Sequence, residues 1–417
     1  TRTTEMQSKY LVVGSSHAAL EAAAAIRMAD TSGGLTLLTR DTHLPYSPTI
    51  LPYVVSGRSQ LDNVTLRDAG CLRDNAIDFV SAAEVASVDP AQSTVRLASG
   101  ETWQYERLLI ATGAAPSLPK IAGLADVPFH VLRSLDDAIG LRKAMQQANS
   151  ALVLGAGLIG MHAAENMAKA GIKVTVVELQ PFALSSYFDP KASAIIERTF
   201  TAHGVRMLMG RTLASVACAG ERIAAKLDDE TAIDADLLLV CTGVKPNIGF
   251  LKGSGIETDA GILVDDRMRT NVANIWAAGD VAQARGFWGG HVVNGILPNA
   301  VEQGRIAGAD MANDAGVQPF PGAVPLNTYS FFGQQAISVG RSSGPDSEVV
   351  EAGSDGRYRH IVLKEGRLIG ISTINDFVDA GIMWQLILRR TDLSAVKQAF
   401  VANPQLTGRQ LMSQHWR

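Results

Sequence analysis

The chain has 417 residues, 47% of them hydrophobic and 19% charged, with 39 glycines and a net charge of −4. That is the composition of an ordinary soluble globular protein long enough for about two to four domains, and it offers no basic surface for nucleic acid. Three cysteines, Cys71, Cys218 and Cys241, stand far apart with no C-x-x-C and no His/Cys cluster, so no metal site is expected, neither a structural zinc nor an iron–sulfur centre within the chain. So few cysteines fit a reducing cytoplasm. The N-terminal TRTTEMQSKY is polar and lacks a signal-peptide core, and no run of ~18 apolar residues offers a membrane span.

The first predicted strand is Tyr10–Val13, followed by Gly14-Ser-Ser-His17-Ala-Ala19 and an alanine-rich helix to Met28. Leu35–Leu38 is the next strand. This is a strand–turn–helix–strand unit with a degraded dinucleotide fingerprint: Gly14 keeps the tight turn, while Ser16 and Ala19 replace the second and third glycines. The acidic ribose ligand should fall just after Leu38, where the chain has Thr39-Arg40-Asp41. Leu44–Gly57, rich in proline and tyrosine and then apolar, reads as a rigid loop leading into a helix. A hairpin region follows: Val85–Val88, a turn at Asp89-Pro90, Thr94–Leu97, a turn at Ser99-Gly100 and Glu101–Tyr105. The apolar run after Tyr105 is a further strand, closed by Thr112-Gly113.

Pro116–Asp126 is a crossover and Asp136–Gln147 a helix. Ala151–Gln180 then carries the full fingerprint. An apolar strand, Ala151–Leu154, leads into Gly155-x-Gly157-x-x-Gly160. A helix runs to Lys169, Gly171 ends it, and a β-branched strand finishes at Glu178. Gly155 permits the turn, Gly157 lets a pyrophosphate approach the backbone, and Gly160 allows helix and strand to pack closely. The helix N-terminus offers free N–H groups to phosphate, and Glu178 can accept from both ribose hydroxyls. The strand–Thr-Gly ending returns at Asp236–Gly243, so two nucleotide units stand in series. Thr270–Asp280 is a short strand ending in Gly279-Asp280, and Asn299–Arg305 begins a helix. The tail reads as a small α/β region, with strands Gln335–Val339, Tyr358–Lys364 and Leu368–Thr373 and a helix from Ala380.

GAGLIG with Glu178, the two Thr-Gly endings and TNVANIWAAGDVA together resemble the FAD-dependent pyridine nucleotide-disulfide oxidoreductase superfamily over residues 9–320. The tail is similar to its NADH:acceptor branch, that of nitrite and rubredoxin reductases and the FAD subunits of 2-oxoacid oxidoreductase complexes. The resemblance implies an α/β protein with two Rossmann-like domains: an FAD-binding domain of residues 1–116 and 244–320, an inserted NAD-binding domain of residues 117–243, and a C-terminal α/β interface domain of residues 321–417. Carried over by position, Gly14, Ser16, His17, Ala18 and Ala19 meet the FAD pyrophosphate. Thr39 and Arg40 lie near the adenosine ribose and Val85 at the adenine. Pro48 belongs to the wall beside the ring, and Ala111, Thr112 and Gly113 close over the cofactor. Arg133 is a further contact. Gly279 and Asp280 meet the ribitol, and Asn299 and Ala300 open the helix that faces the flavin. Gly155, Gly157, Leu158, Ile159, Gly160, Glu178 and Gly243 belong to NAD(H).

Two departures narrow the chemistry. Disulfide reductases of the superfamily place redox cysteines in the region matching Ser47–Tyr53, which here has none, and thiol–disulfide exchange needs an attacking thiolate. Many relatives pair a lysine near the flavin with a glutamate two residues past the third glycine. Here that second position is His162, and Thr49–Tyr53 offers no lysine. No acid or base is required for hydride transfer, so no catalytic residue is assigned; His162 and Thr49 are the candidates near the rings. His162 also reads as a helix-surface residue, and His17 as a packing residue. The implied partner is an iron–sulfur protein or the other subunits of a complex, the chain being a hetero-oligomer subunit or a homodimer. A stand-alone NADH:rubredoxin or ferredoxin reductase, an NADH oxidase and a redox-sensing flavoprotein are the alternatives.

Overall fold

The computed structural model describes residues 5–354 and 356–415; the polar N-terminal stretch falls partly on residues 1–4, outside the described residues. The chain divides into one unit of residues 1–50, 59–115 and 244–323 and a second of residues 51–58, 116–243 and 324–417. Each is built on a parallel sheet crossed by a glycine-turn helix.

In the first unit, strand Glu5–Val13 lies parallel to Leu35–Leu38 on one side and Thr102–Ile110 on the other. Ile77–Val80 extends the first edge and Ile275–Ala277 joins Thr102–Ile110 in parallel. Leu11, Val12, Leu37, Leu108 and Leu109 are fully buried, as expected of strands covered on both faces. Thr102–Ile110 is one nine-residue strand, not a hairpin arm ending at Tyr105 followed by a second strand. Its first half pairs antiparallel with Thr94–Leu97 and its last three residues pair parallel with Ile275–Ala277. Its burial therefore changes at Glu106 from alternating to continuous, which is why the sequence reads as two pieces. Cys71 is the third residue of the short helix Ala69–Asp74.

Helix His17–Ala29 packs against helix Leu297–Met311. The approach is close enough that a Cβ on Gly304 or Gly308 would lie 2.2 Å from the carbonyl oxygens of Ala18 and Ala22. Two glycines one helical turn apart are what permit it.

In the second unit the parallel sheet runs Arg206–Met209, Lys173–Glu178, Ser150–Leu154, Leu237–Val240. Helix Leu158–Lys169 makes the crossover, and the side-chain amide of its Asn166 donates to Pro52 O at 2.8 Å, fixing helix Leu51–Val55. An antiparallel three-stranded sheet, Leu213–Ala219, Arg222–Leu227 and Ala232–Ala235, carries Cys218. The C-terminal region holds five antiparallel strands, not three: Leu326–Phe331 and Glu348–Ser354 flank the expected ones. Both lie at sheet edges, where polar residues replace the apolar run that marks a strand.

Candidate functional site

In the first unit the turn after Glu5–Val13 is held by two backbone bonds, Gly14 N–H to Leu38 O at 2.8 Å and Ala111 N–H to Val13 O at 2.8 Å. Gly14 has φ +132°, and a Cβ there would stand 2.2 Å from Ala111 O; only glycine fits. The helix beginning at His17 has Ser16 as N-cap, with no side chain bonded to its first turn. The N–H groups of His17, Ala18 and Ala19 thus remain for an anion. Ser16 instead donates its hydroxyl to Tyr46 O at 3.4 Å.

Of the later candidates of this unit, Gly279 lies against the helix that follows this turn. Gly279, at φ +81°, would bring a Cβ within 3.1 Å of Ala18 Cβ and 3.8 Å of Ala300 Cβ. Its N–H donates to Gln303 Oε1 at 2.9 Å, a buried partner that sequence reading placed only as part of the helix start. Asp280 is half-buried, with its carboxylate facing Gly295, and Asn299 is buried. Thr112 and Gly113 are tied to Asn247: the Thr112 hydroxyl donates to Asn247 O at 3.1 Å, and Asn247 N–H donates to Gly113 O at 2.9 Å. Thr39 is buried, its Oγ1 accepting from Ser15 Oγ and Asp41 N–H, each at 3.2 Å; Arg40 is exposed and Val85 half-buried.

A hydroxyl chain runs from His17 Nε2 to Ser47 Oγ at 2.7 Å and from Ser47 Oγ to Thr49 Oγ1 at 2.7 Å, around the half-buried Pro48. Burial lowers the His17 pKa, with Glu21 opposing it. Arg133 falls in the second unit, where its N–H donates to Asp137 at 3.0 Å.

The second unit repeats the turn with stronger geometry. Gly155 has φ +104° and a Cβ there would lie 2.3 Å from Cys241 O; on Gly160 it would lie 2.0 Å from Gly155 O. Gly157, the N-cap of helix Leu158–Lys169, faces open space within 4 Å and no side chain caps it. Leu158 is half-buried and Ile159 is 39% exposed at the same helix start. Glu178 Oε2 accepts from Ala156 N–H and Oε1 from Gln180 N–H, both at 2.7 Å. The carboxylate therefore braces the glycine turn from the end of its strand. Gly243 has φ +103°, and the preceding Thr242 donates to Ser117 O at 2.6 Å.

His162 does not stand on an open helix face. Its ring meets Tyr329 edge-on, centroids 4.7 Å apart. Burial lowers its pKa; Glu165 opposes this and Arg58 adds to it. Glu165, unremarked in the sequence because a glutamate mid-helix is ordinary, is only 4% exposed. Its Oε1 accepts from Lys169 Nζ at 2.5 Å and from Phe332 N–H at 2.8 Å. Between residues 47 and 53 the chain supplies Tyr53, whose ring lies under the Arg58 guanidinium at 4.7 Å. Burial pushes the Cys241 thiol up to about 12, and the three cysteines are free.

Two uncapped helix N-termini, each behind a turn that admits no Cβ, are receptive to two phosphate-bearing cofactors. The family model described as pyridine nucleotide-disulphide oxidoreductase matches residues 8–316. The chain belongs to that family. It is an oxidoreductase of the pyridine nucleotide-disulphide type, with FAD and NAD(H) as its cofactors. It is 50% identical to the NADH-dependent phenylglyoxylate dehydrogenase subunit epsilon of Aromatoleum evansii, over 98% of both chains. It is 28% identical to the rubredoxin-NAD(+) reductase of Pseudomonas putida, over 88% of this chain and 95% of that one. A ferredoxin reductase from Rhodopseudomonas palustris superposes with a TM-score of 0.81 at 30% identity, over 88% of this chain and 91% of its own. No helix among the described residues is long and apolar enough to cross a membrane.

Proposed function

We propose that this chain moves electrons between NAD(H) and an iron–sulfur partner, as the flavin subunit of a 2-oxoacid oxidoreductase complex of the phenylglyoxylate type. The similarity at 50% identity over 98% of both chains carries the reading. The lack of cysteine in Ser47–Tyr53 supports it, because it removes the disulfide alternative. Three free cysteines fit a cytoplasmic setting.

FAD is assigned to residues 1–116 and 244–320, NAD(H) to 117–243, and the partner-facing role to 321–417. The residues fit the two groups. Gly14 and Gly155 hold turns that a Cβ would fill, and open space beside Gly157 leaves room for a pyrophosphate. FAD, when bound, supplies the exchange between a two-electron hydride and single electrons. The protein's part is binding and orientation. His17, Ala18 and Ala19 present N–H groups to the FAD phosphates. Gly279 keeps Asp280 close to the same turn, with Gln303 holding its backbone. Leu158, Ile159 and Gly160 present N–H groups to the NAD(H) phosphates. Glu178 takes the ribose hydroxyls with the lone pairs that Ala156 and Gln180 leave free, and its charge repels a 2′-phosphate. His162 and Tyr329 wall the nicotinamide side with a neutral imidazole.

The test is purification of the untagged chain from its native cells, followed by NADH-dependent turnover with a ferredoxin. Co-eluting subunits are expected, and a ferredoxin turned over faster than oxygen. A chain that elutes alone with rapid oxygen consumption is an oxidase, and the reading then fails.

A further inference from the structure

In the second unit, Asp189, Glu351 and His360 bring three potential ligand atoms within 4.8 Å of one another. The sequence reading expects no metal, and these residues are too far apart along the chain for any spacing motif to join them. Asp189 caps helix Pro190–Ala202: its Oδ1 accepts from Lys191 N–H at 2.9 Å and Ala192 N–H at 3.3 Å. Its other oxygen, Oδ2, is buried without any hydrogen-bond partner. A buried carboxylate oxygen left unpaired is costly unless a cation meets it.

His360 shows which cation. Its side chain is 7% exposed. Nε2 lies 2.9 Å from Ser342 O, and a carbonyl only accepts, so Nε2 carries the proton. Nδ1 is then the ring atom turned toward the carboxylates. It faces Glu351 Oε1 at 3.6 Å and Asp189 Oδ2 at 3.9 Å. Were the ring an imidazolium bonded to these carboxylates, the gaps would be near 2.8 Å. A tetrahedral ion at about 2.0–2.2 Å from each donor sets them about 3.3–3.6 Å apart, which the Glu351 pair meets and the Asp189 pair reaches by closing a few tenths of an ångström. Tyr358 sharpens the proton count. Its hydroxyl lies 3.0 Å from Asp189 Oδ1, 3.1 Å from Glu351 Oε1 and 3.4 Å from His360 Nδ1. One phenolic proton cannot serve three acceptors. Lys191 pairs with Oε2 of Glu351, and Oε1 is the oxygen turned toward His360.

We propose that Asp189, Glu351 and His360 bind one divalent cation of the Zn2+ class. Two carboxylate oxygens and one imidazole nitrogen suit that ion better than Ca2+ or Mg2+, which prefer all-oxygen shells. The Ser342 carbonyl orients the imidazole from behind, as an outer-shell partner does. Glu351 and Tyr358 also line an open cavity of about 440 Å3 shared with Lys191, Arg198 and Arg357, so solvent reaches the Glu351 side of the cluster past three cationic side chains. The site would clamp the start of helix Pro190–Ala202 to strands Glu348–Ser354 and Arg357–Lys364. Its role is structural.

The test uses the full-length flavoprotein, stripped with chelator and titrated with ZnCl2 by calorimetry and thermal shift. The wild type should take up one Zn2+ per chain and melt at a higher temperature. Asp189→Asn keeps an acceptor for the helix cap but loses the charge, and Glu351→Gln alters a side chain that is 35% exposed. Each should weaken Zn2+ binding roughly tenfold or more while retaining the FAD spectrum, which reports folding independently. No uptake by the wild type overturns the proposal, and so does uptake that both variants match. Equal affinity for Mg2+ overturns the choice of ion.

Discussion

Gly155 and Gly157 stand two residues apart and should fail differently when changed to alanine. Gly155→Ala forces a Cβ to 2.3 Å from Cys241 O at φ +104°. Positive-φ strain of about 1–3 kcal/mol adds to that clash, so the expected loss is in stability, read as a lower urea midpoint. Gly157→Ala meets nothing within 4 Å at φ −76°. It should leave the midpoint in place and raise the KM for NADH by roughly tenfold, about 1.4 kcal/mol of lost binding. A Gly157→Ala variant with unchanged NADH kinetics would remove the phosphate from this turn. The cysteines belong to this scale too. Cys241 is held protonated by burial, and Cys218 is exposed on a hairpin strand. Replacing Cys71, Cys218 and Cys241 by alanine should keep NADH-to-dye turnover within about threefold, under ~1 kcal/mol in barrier. A fully flavinated triple variant that stops passing electrons would establish a thiol relay. Gly14, Gly155 and Gly160 were legible because a turn that excludes Cβ leaves only one residue type. Gln303 and Glu165 were not: their roles come from bonds to Gly279 N–H and Phe332 N–H, which no local pattern encodes.

Among the elements, the contact between helices His17–Ala29 and Leu297–Met311 positions the first phosphate-receptive N-terminus. Gly304→Ala would press a Cβ against Ala18 O at 2.2 Å and Ala18 Cα at 2.8 Å, backbone atoms that cannot rotate away. Overpacking of this kind costs about 1–3 kcal/mol, and the variant should also lose FAD on gel filtration. Gly140 lies in helix Leu135–Met145 with nothing within 4 Å, so Gly140→Ala should stabilise by up to about 1 kcal/mol. Denaturant curves for the pair should move in opposite directions; if Gly304→Ala proves neutral, the helix contact is looser than described. The glycine-turn helices and their parallel strands could be read from sequence because propensity, periodicity and turn residues agree there. Thr102–Ile110 misled because one strand serves two different neighbours. Leu326–Phe331 and Glu348–Ser354 escaped notice because edge strands need no continuous apolar run.

For the molecule as a whole, pH is the variable that reaches both units. Burial lowers the pKa of His17 in the first unit and of His130 and His162 in the second, each from 6.5. A folded pKa below the unfolded one means that the unfolded chain takes up protons first. Their contribution to stability is therefore whole above about pH 6.5 and is lost as pH falls from there to the folded values. The melting temperature should drop between pH 7.5 and 5.5, and less so in a His17→Gln/His162→Gln variant that retains FAD. A flat or rising profile across that range would contradict the buried-histidine picture. Family and cofactor pair were readable at this scale because the order of motifs along the chain is specific. The Asp189–Glu351–His360 cluster was not, since folding alone brings it together.

The proposed function rests on transfer of electrons between NADH and the chain's own FAD. Anaerobic titration of the purified flavoprotein with NADH, followed by flavin absorbance, tests it most directly. Bleaching should be complete at about one NADH per FAD, with NADPH slower by roughly tenfold or more because Glu178 opposes its phosphate. A flavin that stays oxidised under excess NADH, or that NADPH bleaches equally fast, would contradict the account.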